Sequence, residues 1–185
     1  TRTHFMIGER KRKKMNEHTT IKIGTCKLGI YPRITGVIDR IIPVDDLLSL
    51  KHDGVDLFEV RVDLLNQPFE TVLKYCSDIK EKTAVPMIGT IRENEQTVNK
   101  RIGMFKEIVS LVDAIDVELG SPESDEILSN RGENTTVIIS EHDYEKTPSD
   151  SVLKDMIERA CTEDGDTLAE AFMGDARGDL LRMIN

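Results

Sequence analysis

The stretch DLFEVRV, Asp56–Val62, decides the fold of this chain. It is short and rich in apolar residues, and it is typical of a β-strand. The residues that follow it, Phe69–Lys82, place their apolar side chains at helical spacing. A strand that leads directly into a helix is one step of a βα fold.

The same alternation extends in both directions from this stretch. Further strands are predicted over Arg33–Ile38, Pro86–Ile91, Ala114–Leu119, Thr135–Ser140 and Thr167–Phe172. Further helices are predicted over Pro43–Gly54, Val98–Leu111, Ser124–Asn130, Ser149–Ala160 and Ala176–Asn185. Parallel strands need crossover connections, and helices are the usual crossover. The pattern therefore predicts an α/β protein with a parallel sheet.

Two parallel architectures fit this order. A doubly wound sheet usually carries a glycine-rich phosphate loop after its first strand, and no such cluster follows Gly36. A (β/α)₈ TIM barrel carries its chemistry at the carboxyl ends of its strands, where this sequence has its charged residues. We predict the barrel, in an incomplete form with about six of its eight βα units.

Charge divides the chain into two regions. The net charge is −9 in all, with +4 over residues 1–17 and hence −13 over the remainder. Such an acidic body is a poor nucleic-acid binder. The basic run Arg10–Lys14 is either an anion-binding patch or part of a solvated tail, and the tail is favoured. We assign residues 1–20 to a flexible basic tail and residues 21–185 to one barrel domain.

The composition argues for a cytoplasmic protein. Apolar residues make up 38% of the chain, and no segment approaches the roughly 20 apolar residues of a membrane span. Cys26, Cys76 and Cys161 have neither disulfide nor zinc-site spacing, so we expect a reducing compartment and no bound metal. The sequence does not give the oligomeric state, and a homodimer is one arrangement that we consider.

Three charged groups lie at or just beyond the ends of successive predicted strands. Glu59 and Arg61 are two positions apart, so their side chains share one face of an extended strand. A buried ion pair, Glu59 with Arg61 or Arg61 with Asp63, is the structural alternative to ligand binding. Arg92 follows the next strand, and together with Arg61 it could bind a carboxylate.

His142 is the sharpest candidate for proton transfer. It lies two residues beyond the end of the predicted strand Thr135–Ser140, between Glu141 and Asp143. A single histidine is more often structural, but this position is where barrel enzymes keep catalytic groups. A histidine can take and return a proton near neutral pH.

Four motifs in this order resemble the type I 3-dehydroquinate dehydratase family, over about residues 31–185. They are LFEVRVDLL (57–65), GTIRENE (89–95), AIDVEL (114–119) and VIISEHDYEKTP (137–148). The resemblance implies a (β/α)₈ barrel that dehydrates 3-dehydroquinate to 3-dehydroshikimate in the shikimate pathway of aromatic amino acid biosynthesis, with neither metal nor cofactor. It implies a lyase in which a lysine forms a Schiff base with the substrate ketone.

The resemblance also assigns residue roles. His142 becomes the general base and then the general acid, and Glu59, Arg61 and Arg92 hold the hydroxyls and carboxylate of 3-dehydroquinate. The position of the Schiff-base lysine is occupied by Ala169. The acid that orients the histidine is either displaced to Glu95 or replaced by Gln96.

Three interpretations of function remain open at this stage. The first is a type I dehydratase, and the second is a degenerate relative that binds without turnover. The third is a scaffold, or a barrel that a partner completes, because the last two family strands are not found. Losing the covalent nucleophile should cost many orders of magnitude in rate, which favours the second interpretation for the isolated chain. A Schiff-base aldolase is more distant, and the missing lysine argues against it as well.

Overall fold

The computed structural model describes residues 21–29, 31–143, 147–160 and 167–172 of the 185 residues. Its strands are β1 (Lys22–Ile23), β2 (Cys26–Lys27), β3 (Thr35–Ile38), β4 (Leu57–Arg61), β5 (Met87–Thr90), β6 (Ala114–Glu118), β7 (Thr136–Asp143) and β8 (Thr167–Phe172). Its helices are α1 (Val44–His52), α2 (Phe69–Thr83), α3 (Arg101–Ile108), α4 (Ser124–Ser129) and α5 (Asp150–Ala160), with a 3₁₀ turn at Val62–Leu64. The basic tail at residues 1–20 and the helix expected from residue 176 lie outside the described residues.

Strands β3 to β8 form one parallel sheet in chain order. A helix connects each pair of neighbouring strands from β3 to β8. Each of the six predicted strands is confirmed, with ends trimmed by up to two residues, except that β7 runs three residues further than predicted. The described residues therefore form six βα-type strands of a (β/α)₈ barrel, as the sequence predicted.

The core lies between the sheet and its helices. On β4, the even-numbered residues point away from the barrel interior and towards these helices. Phe58 and Val60 are fully buried and join a cluster with Leu47 of α1 and Ile79 of α2. Apolar side chains at helical spacing on α2 supply the other half of this layer. Burial of this cluster fixes which residues of β4 face the barrel interior.

The inner face of the sheet changes character along each strand. At the start of the strands, Leu57, Ile88, Ala114 and Ile138 form a second apolar cluster. Two and four residues further along the chain, the same face carries polar groups, because side chains return to one face of a strand every two residues. The interior is therefore apolar at the amino ends of the strands and polar at their carboxyl ends.

A hairpin that the sequence analysis missed closes the apolar end. Strands β1 and β2 pair antiparallel, and Ile23 and Cys26 pack into the second cluster. Gly24 in the turn has φ +54°, and a Cβ there would lie 2.8 Å from Asp113 Oδ1. The turn thus requires glycine, both for its backbone conformation and for its close approach to Asp113.

The buried thiol of Cys76 offers a test of this packing. Cys76 on α2 is fully buried, and burial raises its pKa to about 12. We expect native Cys76 to react with iodoacetamide at pH 8 at least about a thousandfold more slowly than it does in the chain unfolded in urea, because the reactive thiolate is scarce and shielded. Peptide mapping by mass spectrometry separates Cys76 from the other cysteines. Labelling of native Cys76 at the unfolded rate would contradict this packing.

Candidate active site

A cavity of about 620 Å³ opens at the carboxyl ends of the strands. It is lined by Thr35, Val37, Glu59, Arg61, Ile88, Arg92, Asp116, Glu118, Leu119, Ile138, Ser140, Glu141 and His142. The four residues that the sequence singled out, Glu59, Arg61, Arg92 and His142, all line it. The expected place of His142 was wrong in one respect, since β7 continues to Asp143 and the histidine lies within the strand.

Arg61 is held by Asp63 in a bidentate ion pair. Its Nε donates to Asp63 Oδ1 at 3.1 Å and its Nη2 donates to Oδ2 at 2.7 Å. Asp63 lies in the 3₁₀ turn after β4, and its side chain is only 2% exposed. Of the two ion pairs considered from sequence, the structure forms the one with Asp63, which fixes the Arg61 guanidinium at the cavity wall.

Glu59 is positioned by the neighbouring strand. Thr90 at the end of β5 donates its hydroxyl to Glu59 Oε1 at 2.8 Å. Residues 59 and 61 lie on the inner face above Leu57, as the two-residue period requires. One carboxylate and one guanidinium of β4 thus face the same cavity.

Arg92 has one side occupied and one side open. Its Nη2 lies 2.8 Å from Asp116 Oδ1 and donates to Ser140 Oγ at 2.9 Å. Its Nη1 is buried and has no hydrogen-bond partner within the described part of the chain; the nearest carboxylate oxygen with which it forms an ion pair is Glu118 Oε2, at 3.9 Å. A buried donor without an acceptor is costly, so this side of Arg92 is suited to an incoming anion.

Asp116 is a site residue that the sequence analysis did not single out. It is buried on β6, and Ser140 donates its hydroxyl to Asp116 Oδ1 at 2.6 Å. Burial raises the pKa of Asp116, while Arg92, Ser140 and His142 act in the opposite direction and Glu59 adds to the rise. Asp116 and Glu118 are two positions apart in AIDVEL, the same spacing that identified Glu59 and Arg61.

The acid expected to orient His142 was assigned to the loop after Arg92. In the structure Glu95 and Gln96 are both exposed, and Gln96 Nε2 donates to Asn66 Oδ1 at 2.9 Å. Asp116, by contrast, is buried and lines the same cavity as His142. Asp116 on β6 is thus a buried acid that lines the same cavity as the histidine, and the roles of Glu95 and Gln96 stay a prediction.

In the sheet, Ala169 of β8 pairs with Ser140 of β7, and Ser140 pairs in turn with Glu118 of β6. Backbone pairing thus places position 169 on the line of cavity residues. No lysine lines the cavity among the residues that the structure describes. Lys154, on α5, is exposed, and Lys146 lies outside the described residues.

Comparison with known proteins identifies the family of the chain. A family model described as type I 3-dehydroquinase matches residues 43–185. The chain belongs to the type I 3-dehydroquinase family. The 3-dehydroquinate dehydratase of Methanococcoides burtonii is 31% identical to this family member over 177 residues, which are 89% of this chain and 74% of that protein. The 3-dehydroquinate dehydratase of Methanosarcina barkeri is 32% identical over 71% of this chain and 60% of its own length.

Solved structures share the fold of this type I 3-dehydroquinase family member. The type I 3-dehydroquinate dehydratase of Clostridium difficile matches this chain with a TM-score of 0.77 at 24% sequence identity. The match covers 89% of this chain and 73% of that one. The 3-dehydroquinate dehydratase of Aquifex aeolicus has a TM-score of 0.72 at 21% identity, over 83% and 73%. The family member thus spans about 60–74% of the length of these four relatives. No helix in the described residues is long and apolar enough to cross a membrane.

Proposed function

We propose that this chain binds 3-dehydroquinate in the cavity at the carboxyl ends of its strands. The observation that carries the proposal is the open side of Arg92, whose Nη1 is buried at the cavity without a hydrogen-bond acceptor in the described residues. The substrate of the family carries a carboxylate, which would supply the missing acceptor. Arg61 and Glu59 on β4, the strand next to the one that Arg92 follows, offer a donor and an acceptor for hydroxyl groups.

His142 would exchange protons with the bound substrate. In the reaction of the named relatives, 3-dehydroquinate loses water, so one proton leaves a carbon next to the ketone and the hydroxyl departs with a proton. A histidine in the cavity can take the first proton and return it to the leaving hydroxyl. Asp116 beside it would stabilise the protonated ring, since the two groups attract when both are charged.

We further propose that dehydration through a Schiff base is impaired in this chain. An imine requires an amine, and position 169, which lies on the line of cavity residues, is alanine. An amine at this position is one group that separates the dehydratase activity of the relatives from a non-catalytic binding or scaffold role. The fully buried Cys76, a free thiol, is compatible with a reducing cytoplasm. We also propose that the chain can form a homodimer, for which the described residues show no interface.

Replacing Arg92 by alanine tests the binding site. We expect Arg92→Ala to weaken 3-dehydroquinate binding by roughly 10- to 150-fold, equivalent to about 1.5–3 kcal/mol for a lost charged hydrogen bond. Titration calorimetry at fixed ionic strength measures the affinity, and circular dichroism checks that the variant is folded.

Arg33→Ala is the matched control. Arg33 is a partly exposed arginine that pairs with Asp56, the residue just before β4, at the opposite end of the barrel from the cavity. We expect its removal to leave the affinity within about twofold, because it does not line the cavity. Equal affinities for wild type and a folded Arg92→Ala variant would exclude Arg92 from the binding site.

A further inference from the structure

Arg101 is a buried cation that the proposed site does not use. It is the first residue of α3, its side chain is 2% exposed, and it does not line the cavity. Its Nε donates to the carbonyl oxygen of Ile91 at 3.0 Å, the residue just before Arg92. Its Nη1 lies 3.2 Å from Glu123 Oε2 and its Nη2 lies 3.4 Å from Glu118 Oε2.

Glu118 stands between two arginines. The same oxygen, Oε2, lies 3.4 Å from Arg101 Nη2 and 3.9 Å from Arg92 Nη1. The Glu118 side chain is 41% exposed and lines the cavity, so it has room to change its torsion angles. Without Arg101, Arg92 would be the one remaining arginine with which this carboxylate forms an ion pair in the described residues, and Arg92 Nη1 still lacks a hydrogen-bond acceptor there.

We propose that Arg101 is a positioning residue that holds Glu118 at 3.9 Å from Arg92 Nη1 and keeps it from hydrogen-bonding to that nitrogen. By attracting Glu118 and fixing the backbone at Ile91, it leaves Arg92 Nη1 available to an anionic group in the cavity. The inference rests on the proposed function only in naming that anion as the substrate carboxylate. A purely structural role, in which Arg101 merely joins Ile91, Glu118 and Glu123, makes a different prediction for a double variant.

The double variant separates the two roles through substrate affinity. Arg101→Met should weaken 3-dehydroquinate binding by about tenfold, because Glu118 then competes for Arg92. Adding Glu118→Gln to this variant should restore the affinity to within about threefold of Glu118→Gln alone, since the competing charge is gone. A double variant that binds as weakly as Arg101→Met would overturn the inference in favour of the structural role.

A second measurement needs no substrate. In the free protein, the side-chain Nε–Hε resonance of Arg92, assigned with Arg92→Lys, should shift in Arg101→Met and return towards its original position in Arg101→Met/Glu118→Gln. If the wild type does not bind 3-dehydroquinate, the proposed function fails and this resonance alone decides the role of Arg101. An Arg92 resonance that is unchanged in Arg101→Met would overturn the inference.

Lys106→Met is the matched control, because Lys106 lies on the same helix α3 as Arg101. Its Nζ forms an exposed ion pair at 3.0 Å with Glu126 Oε1 of α4. Removing this pair should change neither the affinity for 3-dehydroquinate nor the Arg92 resonance. If Arg101→Met does not fold, Glu118→Gln alone still tests the idea. Its affinity should equal or exceed that of the wild type by up to a few fold, and a loss of more than about fivefold would show that Glu118 assists binding rather than competing with it.

Discussion

Replacing Asp116 by alanine should lower the free energy of unfolding by about 3 kcal/mol, the lower end of the cost of breaking a buried ion pair. Asp116 is 8% exposed, and its Oδ1 lies 2.8 Å from Arg92 Nη2 and 2.6 Å from Ser140 Oγ. The alanine variant leaves the Arg92 charge partly buried with its main counter-ion removed. Urea unfolding followed by circular dichroism measures the difference.

Asp78→Ala is the matched control for this prediction. Asp78 also forms an ion pair at 3.0 Å, with Lys74 one turn earlier on α2, but the two side chains are 40% and 77% exposed. We expect its removal to change the unfolding free energy by at most about 0.5 kcal/mol. Equal losses in the two variants would show that Asp116 is not a buried partner of Arg92.

The pH dependence of this effect has a definite sign. Burial raises the folded-state pKa of Asp116 above its ordinary 3.8, so the folded protein binds a proton more readily than the unfolded chain. The proton that the folded protein binds at Asp116 therefore adds a contribution to stability that is complete below pH 3.8 and is lost as pH rises through the raised pKa; the ion pair with Arg92 is a separate contribution that needs the ionised carboxylate. The side chain of Asp116→Asn does not titrate in this range. Between pH 3.8 and the raised pKa, the free energy of unfolding of the wild type should therefore fall relative to that of Asp116→Asn.

The sequence was sufficient to predict the sheet and much of the candidate site. The six strands carry apolar residues on both faces, so their pattern differs clearly from that of the surrounding helices, and their parallel order follows from the helical crossovers. Glu59 and Arg61 could be placed on the inner face because side chains alternate along a strand. Arg92 was identified because it follows a strand directly.

Other features depend on contacts that a linear pattern does not show. Strands β1 and β2 have two residues each, too few for any periodicity, and they form because Ile23 and Cys26 cover the apolar end of the barrel. The last residues of β7 are polar and resemble a loop, yet pairing with β8 continues to Asp143. Arg101 begins a helix, where an arginine is usually solvated, and only the fold buries it.

The chain should form no covalent intermediate with 3-dehydroquinate, which is the second large effect that we expect. Without an imine there is no protonated Schiff base to acidify the carbon that His142 would deprotonate, so turnover should fall by many orders of magnitude relative to a lysine-bearing family member. Ala169→Lys alone should restore little turnover. The described residues supply six strands, fewer than the eight of a complete barrel, so the added amine would enter a site that these residues alone do not complete.

Borohydride reduction in the presence of 3-dehydroquinate is the most direct test of a site that binds the substrate without bonding to it. Any imine between a lysine and the ketone would be reduced to a stable amine, and intact-mass spectrometry would detect the adduct. A lysine-bearing type I dehydratase treated in parallel is the positive control. We predict an unchanged mass for this chain under conditions where calorimetry shows binding. A stoichiometric adduct, mapped to any lysine, would contradict the assignment of Ala169 and establish Schiff-base chemistry in this chain.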